Sequence, residues 1–275
     1  MRPQLAVGMG RAVAMLAAWL ALAGASFGVH AQSHDASAHP PPDLPVPTAA
    51  DRAAAFPDVA GHAAHDDAIH YLLLLDQFEW QDADEGDALA WDVTAWIGRD
   101  IDRLWLRSEG ERVDETNDEF DVEVLWGHAF ARWWDLVAGV RQDVDPGPSR
   151  TWAAFGVQGV APYKFDVQAT AYVGESGRLA AIFEAEYELL LTNSWVLQPL
   201  IELSIYGEED PPRGIGAGLS TTEVGLRLRY EIRRELAPYI GVTWDRKWGD
   251  TEDLAREAGD SVEDTRWVAG LRIWF

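Results

Sequence analysis

The sequence predicts an all-β protein: an antiparallel up-and-down transmembrane β-barrel of about 12 strands, preceded by a disordered N-terminal arm. Three observations carry that expectation. Short runs of strictly alternating apolar and polar residues fill the chain after residue 69. The connections between those runs alternate between long and short. The two chain ends carry what an exported barrel needs, an export-type leader and a strand that stops at an aromatic residue.

At the N-terminus, Arg2 and Arg11 precede an Ala/Leu-rich run from Ala12 to about Gly28, and Val29-His30-Ala31 supplies small residues for cleavage. Residues 1–31 therefore read as a signal peptide. No later stretch approaches 18 uninterrupted apolar residues, which argues against a helical membrane protein. At the other end, TRWVAGLRIWF places Trp267, Ala269, Leu271 and Ile273 on one face and finishes at Phe275. A terminal Phe on such a strand resembles the address of bacterial outer-membrane proteins.

Residues 32–68 differ in composition from the remainder of the chain. HPPPDLPVPTAADRAAAFP has no sustained apolar period and cannot offset the entropy of ordering it, so this stretch reads as a disordered or only weakly structured periplasmic arm. Residues 69–275 read as the barrel, with strands near 69–81, 89–98, 102–112, 118–129, 134–143, 151–160, 163–174, 178–190, 194–207, 217–231, 237–248 and 265–275. Most match the roughly 9–11 residues that a tilted strand needs to cross a bilayer. Long or polar connections fall at 82–88, 113–117, 144–150, 207–216 and 249–264, with the short 175–177 as an exception. Tight turns fall between them at 99–101, 130–133, 161–162, 191–193 and 232–236. That rhythm suits the two ends of a bacterial barrel.

The alternation then assigns the faces. In FEAEYELLL, Phe183, Ala185, Tyr187 and Leu189 oppose Glu184, Glu186 and Glu188. In VGLRLRYEI, Val224, Leu226, Leu228 and Tyr230 oppose Arg227, Arg229 and Glu231; in FDVEVLWG, Asp121 and Glu123 oppose Val122, Val124 and Trp126. A soluble sandwich would bury the apolar faces, whereas a membrane barrel turns them to lipid and crowds the acids inside. Thirteen tryptophans lie beyond the signal, and Trp80, Trp91, Trp105, Trp126, Trp195 and Trp244 fall near strand ends, as interfacial girdles require. The barrel reading is preferred, with outer-membrane lipid as the surrounding partner.

Net charge is −24, or −26 once Arg2 and Arg11 are removed, which excludes nucleic acid as a natural partner and favours cations. There is no cysteine, so disulfides and thiolate metal sites are excluded. Confined acids must find partners, and Arg103, Arg107, Arg141, Arg227, Arg229, Arg266 and Arg272 are the inner-wall candidates. A stiffening salt-bridge network and a cation-attracting lumen both fit this composition. Histidines are the second clue: His62 and His65, spaced by three, stand with His70 beside Asp66 and Asp67. Imidazole and carboxylate together suit a borderline metal, although a polar linker with scattered histidines has the same composition. The candidate metal ligands are thus His62, His65, His70, Asp66 and Asp67 in the arm, with Glu184, Glu186 and Glu188 on the wall. His128 lies by parity on the Trp126 side near a turn and lacks a nearby serine, so it reads as an interfacial anchor. No catalytic residue is assigned.

WDVTAWIGRDIDRLWLRSEGE (91–111) resembles the hallmark of the bacterial copper resistance protein B family. The resemblance continues through LLLLDQFEWQ (72–81), WDLVAGVRQD (134–143), TTEVGLRLRYEIRRELAPYIGVTW (221–244) and VAGLRIWF (268–275). It implies a non-enzymatic outer-membrane barrel of a Gram-negative bacterium that sequesters or exports copper ions, with a periplasmic multicopper oxidase among its partners. Relatives carry a Met-, His- and Asp-rich arm; here Met1, Met9 and Met15 all lie in the signal. Without thioethers, the soft ligands suited to copper(I), the histidines and acids above are left as the substitute. A non-selective small-cation channel and a purely structural barrel are the alternative functions.

Overall fold

A computed structural model describes residues 46–55, 68–83, 86–113 and 116–275, in two units. The signal stretch and most of the arm, including His62, His65, Asp66 and Asp67, lie outside the described residues. Within the arm, Ala49–Ala55 forms helix α1. Thr48 caps it: the backbone N–H of Asp51 donates to Thr48 Oγ1 (3.1 Å), while the backbone N–H of Thr48 donates to Asp51 Oδ2 (2.8 Å). The cap and the run AADRAAA favour this short helix.

The second unit is built from strands β1 (His70–Ala83), β2 (Gly86–Gly98), β3 (Asp102–Val113), β4 (Thr116–Ala131), β5 (Trp134–Asp145), β6 (Arg150–Ala161) and β7 (Phe165–Gly174). After these come β8 (Leu179–Tyr187), β9 (Leu189–Leu190), β10 (Trp195–Tyr206), β11 (Gly218–Tyr230), β12 (Leu236–Lys247) and β13 (Glu263–Trp274). β8 and β9 both pair with β10 and form one stave interrupted at Glu188. Each stave is antiparallel to its sequence neighbours, and β1 pairs with β13, so the described residues close a ring of 12 staves. This is the up-and-down antiparallel transmembrane barrel that the alternation predicts.

Closure is completed by the last residue. The N–H of Leu73 donates to the carbonyl of Phe275 (3.1 Å), and the N–H of Phe275 returns a bond to Leu73 (2.9 Å). Near this seam β1 carries an extra residue, because Leu75 pairs with Ile273 while Glu79 pairs with Gly270. The bulge lets Asp76 and Gln77 both reach charged partners on β13 and β11 while the alternation resumes beyond them.

Side-chain exposure confirms which face is which. Leu104, Leu106, Val124, Trp126, Phe155, Ile240 and Trp267 are exposed on the outer wall, as lipid contact requires. Glu79, Glu123, Arg141, Arg227 and Arg229 are buried inside. The acids of FEAEYELLL do face inward; Glu184 lines an internal cavity. Trp105 is a correction. It lies on the same face of β3 as Arg103 and Arg107 and packs on the internal cluster of Leu125, Val137, Trp152, Ala154 and Tyr172, not in a girdle. The lumen is therefore part apolar, and Trp105 and Trp152 fill space left by Gly127 and Gly174.

Two connections are shorter than expected. β1 and β2 stay paired to Ala83 opposite Gly86, and β3 and β4 to Val113 opposite Thr116. Polar side chains do not break a ladder that continues into water, so polarity overstated those loops. The 249–264 connection holds a helix, α2 (Gly249–Ala258), closed by Gly259 in the left-handed conformation (φ 88°). Asp250 and Glu252 in its first turn and Arg256 near its end complement the helix dipole.

Gly270 illustrates how tightly the inner wall is fitted. A Cβ there would stand 2.6 Å from the Tyr239 ring on the neighbouring strand. Gly270→Val is expected to destabilise the barrel by about 1–3 kcal/mol through overpacking. Urea unfolding followed by tryptophan fluorescence in detergent micelles measures it; an unchanged midpoint would contradict the packing described.

Candidate functional site: the charged lumen

The pleat sends every second residue inward, and the register decides which of those meet. On β1, Glu79 is 0% exposed. Arg227 of β11 grips it with two bonds, Nε to Oε2 (3.0 Å) and Nη2 to Oε1 (2.8 Å), and also donates to Gln77 (2.9 Å). Tyr239 Oη and Gln81 Nε2 each donate to Glu79 at 2.9 Å. Charge-assisted, bidentate bonds of this kind make burial of the pair tolerable. Glycines make the geometry accessible, because a Cβ at Gly225 would stand 2.6 Å from Arg227 Nη1.

A second hub is Arg141 of β5, which bonds Asp143 (2.6 Å) and Asp121 (3.0 Å) and stands 3.9 Å from Glu123. Glu123 also accepts from Tyr172 Oη (2.6 Å) and pairs with Arg107 (3.5 Å), and Asp143 accepts from Trp152 Nε1 (2.7 Å). Toward the long-loop end, Arg266 bonds Glu111 (2.7 Å) and Asp264 (2.7 Å). Toward the short-turn end, Arg229 bonds Glu188 (2.5 Å) and Gln198 (2.6 Å), and Arg272 bonds Asp76. Arg103 completes the set with Asp135 (3.4 Å). All seven inner-wall arginines named from sequence are thus paired with lumen acids.

Several of these bonds join staves three positions apart around the ring: Arg227 to Glu79, Arg266 to Glu111, and Tyr172 to Glu123. They are chords across the lumen, and they divide it. Between them lies an internal cavity of about 60 Å³, room for a few waters. Asp92, Glu109, Glu184 and Glu202 line it together with Arg107 and Arg141.

The long-loop end carries its own latch. Asp210, between β10 and β11, accepts from Arg150 Nε (2.8 Å) and Nη2 (3.1 Å) and from Arg178 Nη1 (2.5 Å). Arg213 of the same loop donates to the carbonyls of Asp145 and Pro148, each at 3.0 Å. Burial opposes ionisation of Asp210, but the bonds and charges of Arg150 and Arg178 outweigh it and hold its carboxyl below the usual range.

Of the candidate ligands, His70 is exposed as the first residue of β1. Glu184, Glu186 and Glu188 share the inner face of one stave but go to different partners. Glu184 accepts from Gln168 (3.4 Å), Glu186 from Gln198 (2.5 Å), and Glu188 pairs with Arg229. Among the described residues no three His, Asp or Glu side chains converge to hold a metal. His128 sits on the outer face as expected, its Nδ1 2.9 Å from Asp102 and its ring 5.5 Å from Trp126. Glu79, Tyr239, Tyr172 and the Asp210 latch escaped the sequence reading. Parity along LLLLDQFEWQ could not place Glu79, because the bulge at Asp76 shifts it.

Two outcomes test this geometry. Arg227→Met is expected to cost about 3–5 kcal/mol by leaving Glu79 buried and unpaired, and adding Glu79→Gln is expected to recover much of it. Urea midpoints of the two variants decide; equal midpoints would remove the network from the barrel's energetics. For the latch, the depressed Asp210 value means its stabilisation is full above the ordinary value of 3.8 and is lost as pH falls through the depressed one. Asp210→Asn at neutral pH should lower hydrogen-exchange protection, corrected for the intrinsic rate, across residues 207–217 to the value the parent reaches only in acid.

Comparison with known proteins agrees with this architecture. The solved NanC porin is 12% identical, with a TM-score of 0.51 over 72% of this chain and 98% of its own, a likeness of fold alone. The "Copper resistance protein B homolog" of Pseudomonas syringae pv. tomato is 52% identical over 279 residues, covering 99% of this chain and 95% of the relative. "Copper resistance protein B" of Escherichia coli is 52% identical over 232 residues, covering 84% of this chain and 78% of the relative. Residues 69–275, the whole barrel, match the family described as "Copper resistance protein B precursor (CopB)". This chain belongs to the copper resistance protein B family.

Proposed function

We propose that this protein serves copper resistance as a copper-binding barrel of the outer membrane, sequestering the ion or passing it outward without covalent chemistry. The observation that carries the reading is family membership across the entire barrel, joined to a lumen lined with carboxylates. Such a lumen draws cations and repels anions. His62, His65 and His70 with Asp66 and Asp67 would take the ion first, since imidazole and carboxylate suit copper(II) better than copper(I). Glu184 and Glu186, whose partners are neutral amides, would receive it inside; Glu188, held by arginines, would contribute less. A periplasmic multicopper oxidase is the natural protein partner, because it would consume the same ion.

A non-selective cation channel is the second reading, and the chords across the lumen weigh against it. A bilayer recording separates the two: a large steady current unaffected by copper would favour the channel.

Copper(II) stoichiometry of the refolded protein with and without residues 32–68 is the direct test. At least one ion is expected to be lost with the arm, and His62→Ala with His65→Ala should weaken the remaining affinity about tenfold or more, as loss of metal-site groups does. Superimposable isotherms would take the arm out of the mechanism.

A further inference from the structure

The latch at the long-loop end holds more than one residue in place. Between β10 and β11 the chain forms a strap, residues 207–217, that does not run along the rim. Its Asp210 bonds Arg150, the first residue of β6, and its Arg213 bonds the carbonyls of Asp145 and Pro148 between β5 and β6. Those anchors lie three to four staves back round the ring, so the strap crosses the mouth. On its other side, the N–H of Gly216 donates to Thr251 Oγ1 of α2 (2.8 Å), and the Ser220 hydroxyl meets the same oxygen at 2.9 Å. Strap and α2 together span the mouth from β6 round to β13. The opposite sector is bridged by Arg266, which joins β13 to Glu111 on β3.

Beneath the strap lies the lumen. The Arg213 side chain is only 5% exposed, and its Nη2 stands 3.8 Å from the inner-wall acid Asp143. Asp143 is bonded to Arg141, and Arg141 lines the internal cavity. Arg213 is thus a stopper joined to the cavity wall through two side chains.

Three features make the strap movable. Its ties are polar, while its apolar side chains Ile215 and Ala217 are only half-buried and Glu208, Glu209, Pro211 and Pro212 are exposed. Segments with few buried apolar contacts open at low cost. Gly207 and Gly218 flank the strap, and Gly218 holds the left-handed conformation (φ 91°) with open space where a Cβ would stand. Residues at the ends of elements absorb the rotation of a hinge in this way. The closed position is also imperfect, because Nε of Arg213 is buried without a partner among the described residues. Water would satisfy that donor on opening. What holds the strap down is therefore chiefly Asp210, whose single carboxylate gathers both Arg150 and Arg178.

We propose that residues 207–217 are a hinged gate on the long-loop mouth, latched by Asp210, that sets access to the internal cavity. Closed, it keeps Arg213 over Asp143 and seals the acids below from that side. Open, it swings on Gly207 and Gly218 and takes the stopper with it. The gate acts on entry and does not depend on which ion the lumen receives.

The chain has no cysteine, so a single introduced thiol reports alone. Thr170→Cys places it in the cavity wall, at a residue 5% exposed. The probe is a small cationic methanethiosulfonate, applied to the full chain in detergent micelles. Modification is expected to be slow in this background and about tenfold faster once Asp210→Asn is added, the order of one charge-assisted bond lost. Arg178→Gln, which removes one latch bond from a side chain 28% exposed, should give a smaller rise and decides the matter if Asp210→Asn does not fold. Arg256→Gln, which breaks ion pairs on α2 without touching the strap, should leave the rate unchanged. Equal rates with and without the latch, or an equal rise in Arg256→Gln, would overturn the gate. So would a rise that comes with a lower urea midpoint of the barrel, since that is general loosening. No metal is in the assay, so its outcome is separate from that of the copper reading.

Discussion

Hydrocarbon offers no hydrogen-bond partner to a peptide group, and the whole molecule is shaped by that constraint. A sheet survives there only when every edge is paired. The chain meets the requirement by bringing β13 back to β1 and by using even the backbone of Phe275 to extend the seam. Closure has a consequence inside. Half of every strand's side chains are enclosed, and in this chain many of them are charged.

Enclosure makes pairing obligatory. Glu79, fully buried, would be untenable without Arg227, Tyr239 and Gln81 around it. Buried ion pairs of this kind add little net stability over apolar packing, but removing one member is severe. The lumen is therefore held in a single arrangement by chords that also partition its space. Function has to work within that partition, and the unneutralised carboxylates beside the cavity are the part not consumed by holding the barrel together. A chain of this net charge invests far more acid than its arginines can absorb.

The sequence is most informative where periodicity is local. Asp121, Glu123, Arg227 and Arg229 fall on the inner face because alternation along one strand needs no knowledge of its neighbours. Trp105 could also have been placed inside from its parity with Arg103 and Arg107; the expectation of an aromatic girdle outweighed a signal that was present. Helix α2 was read only as a long connection, although acids in its first turn and Gly259 at its end are ordinary helix punctuation. Glu79 was not legible, because a bulge alters parity without any mark in composition.

By itself the sequence determined the barrel, its inner and outer faces, its turns and the identity of its charged residues, because these depend on alternation and on nearest neighbours in the chain. Only the tertiary structure decided which charges meet. Glu79 and Arg227 are separated by most of the barrel's length in sequence, and Glu184 and Asp264 lie on one rung only because four registers agree. Register depends on how the ring closes, and closure is a property of all the strands together.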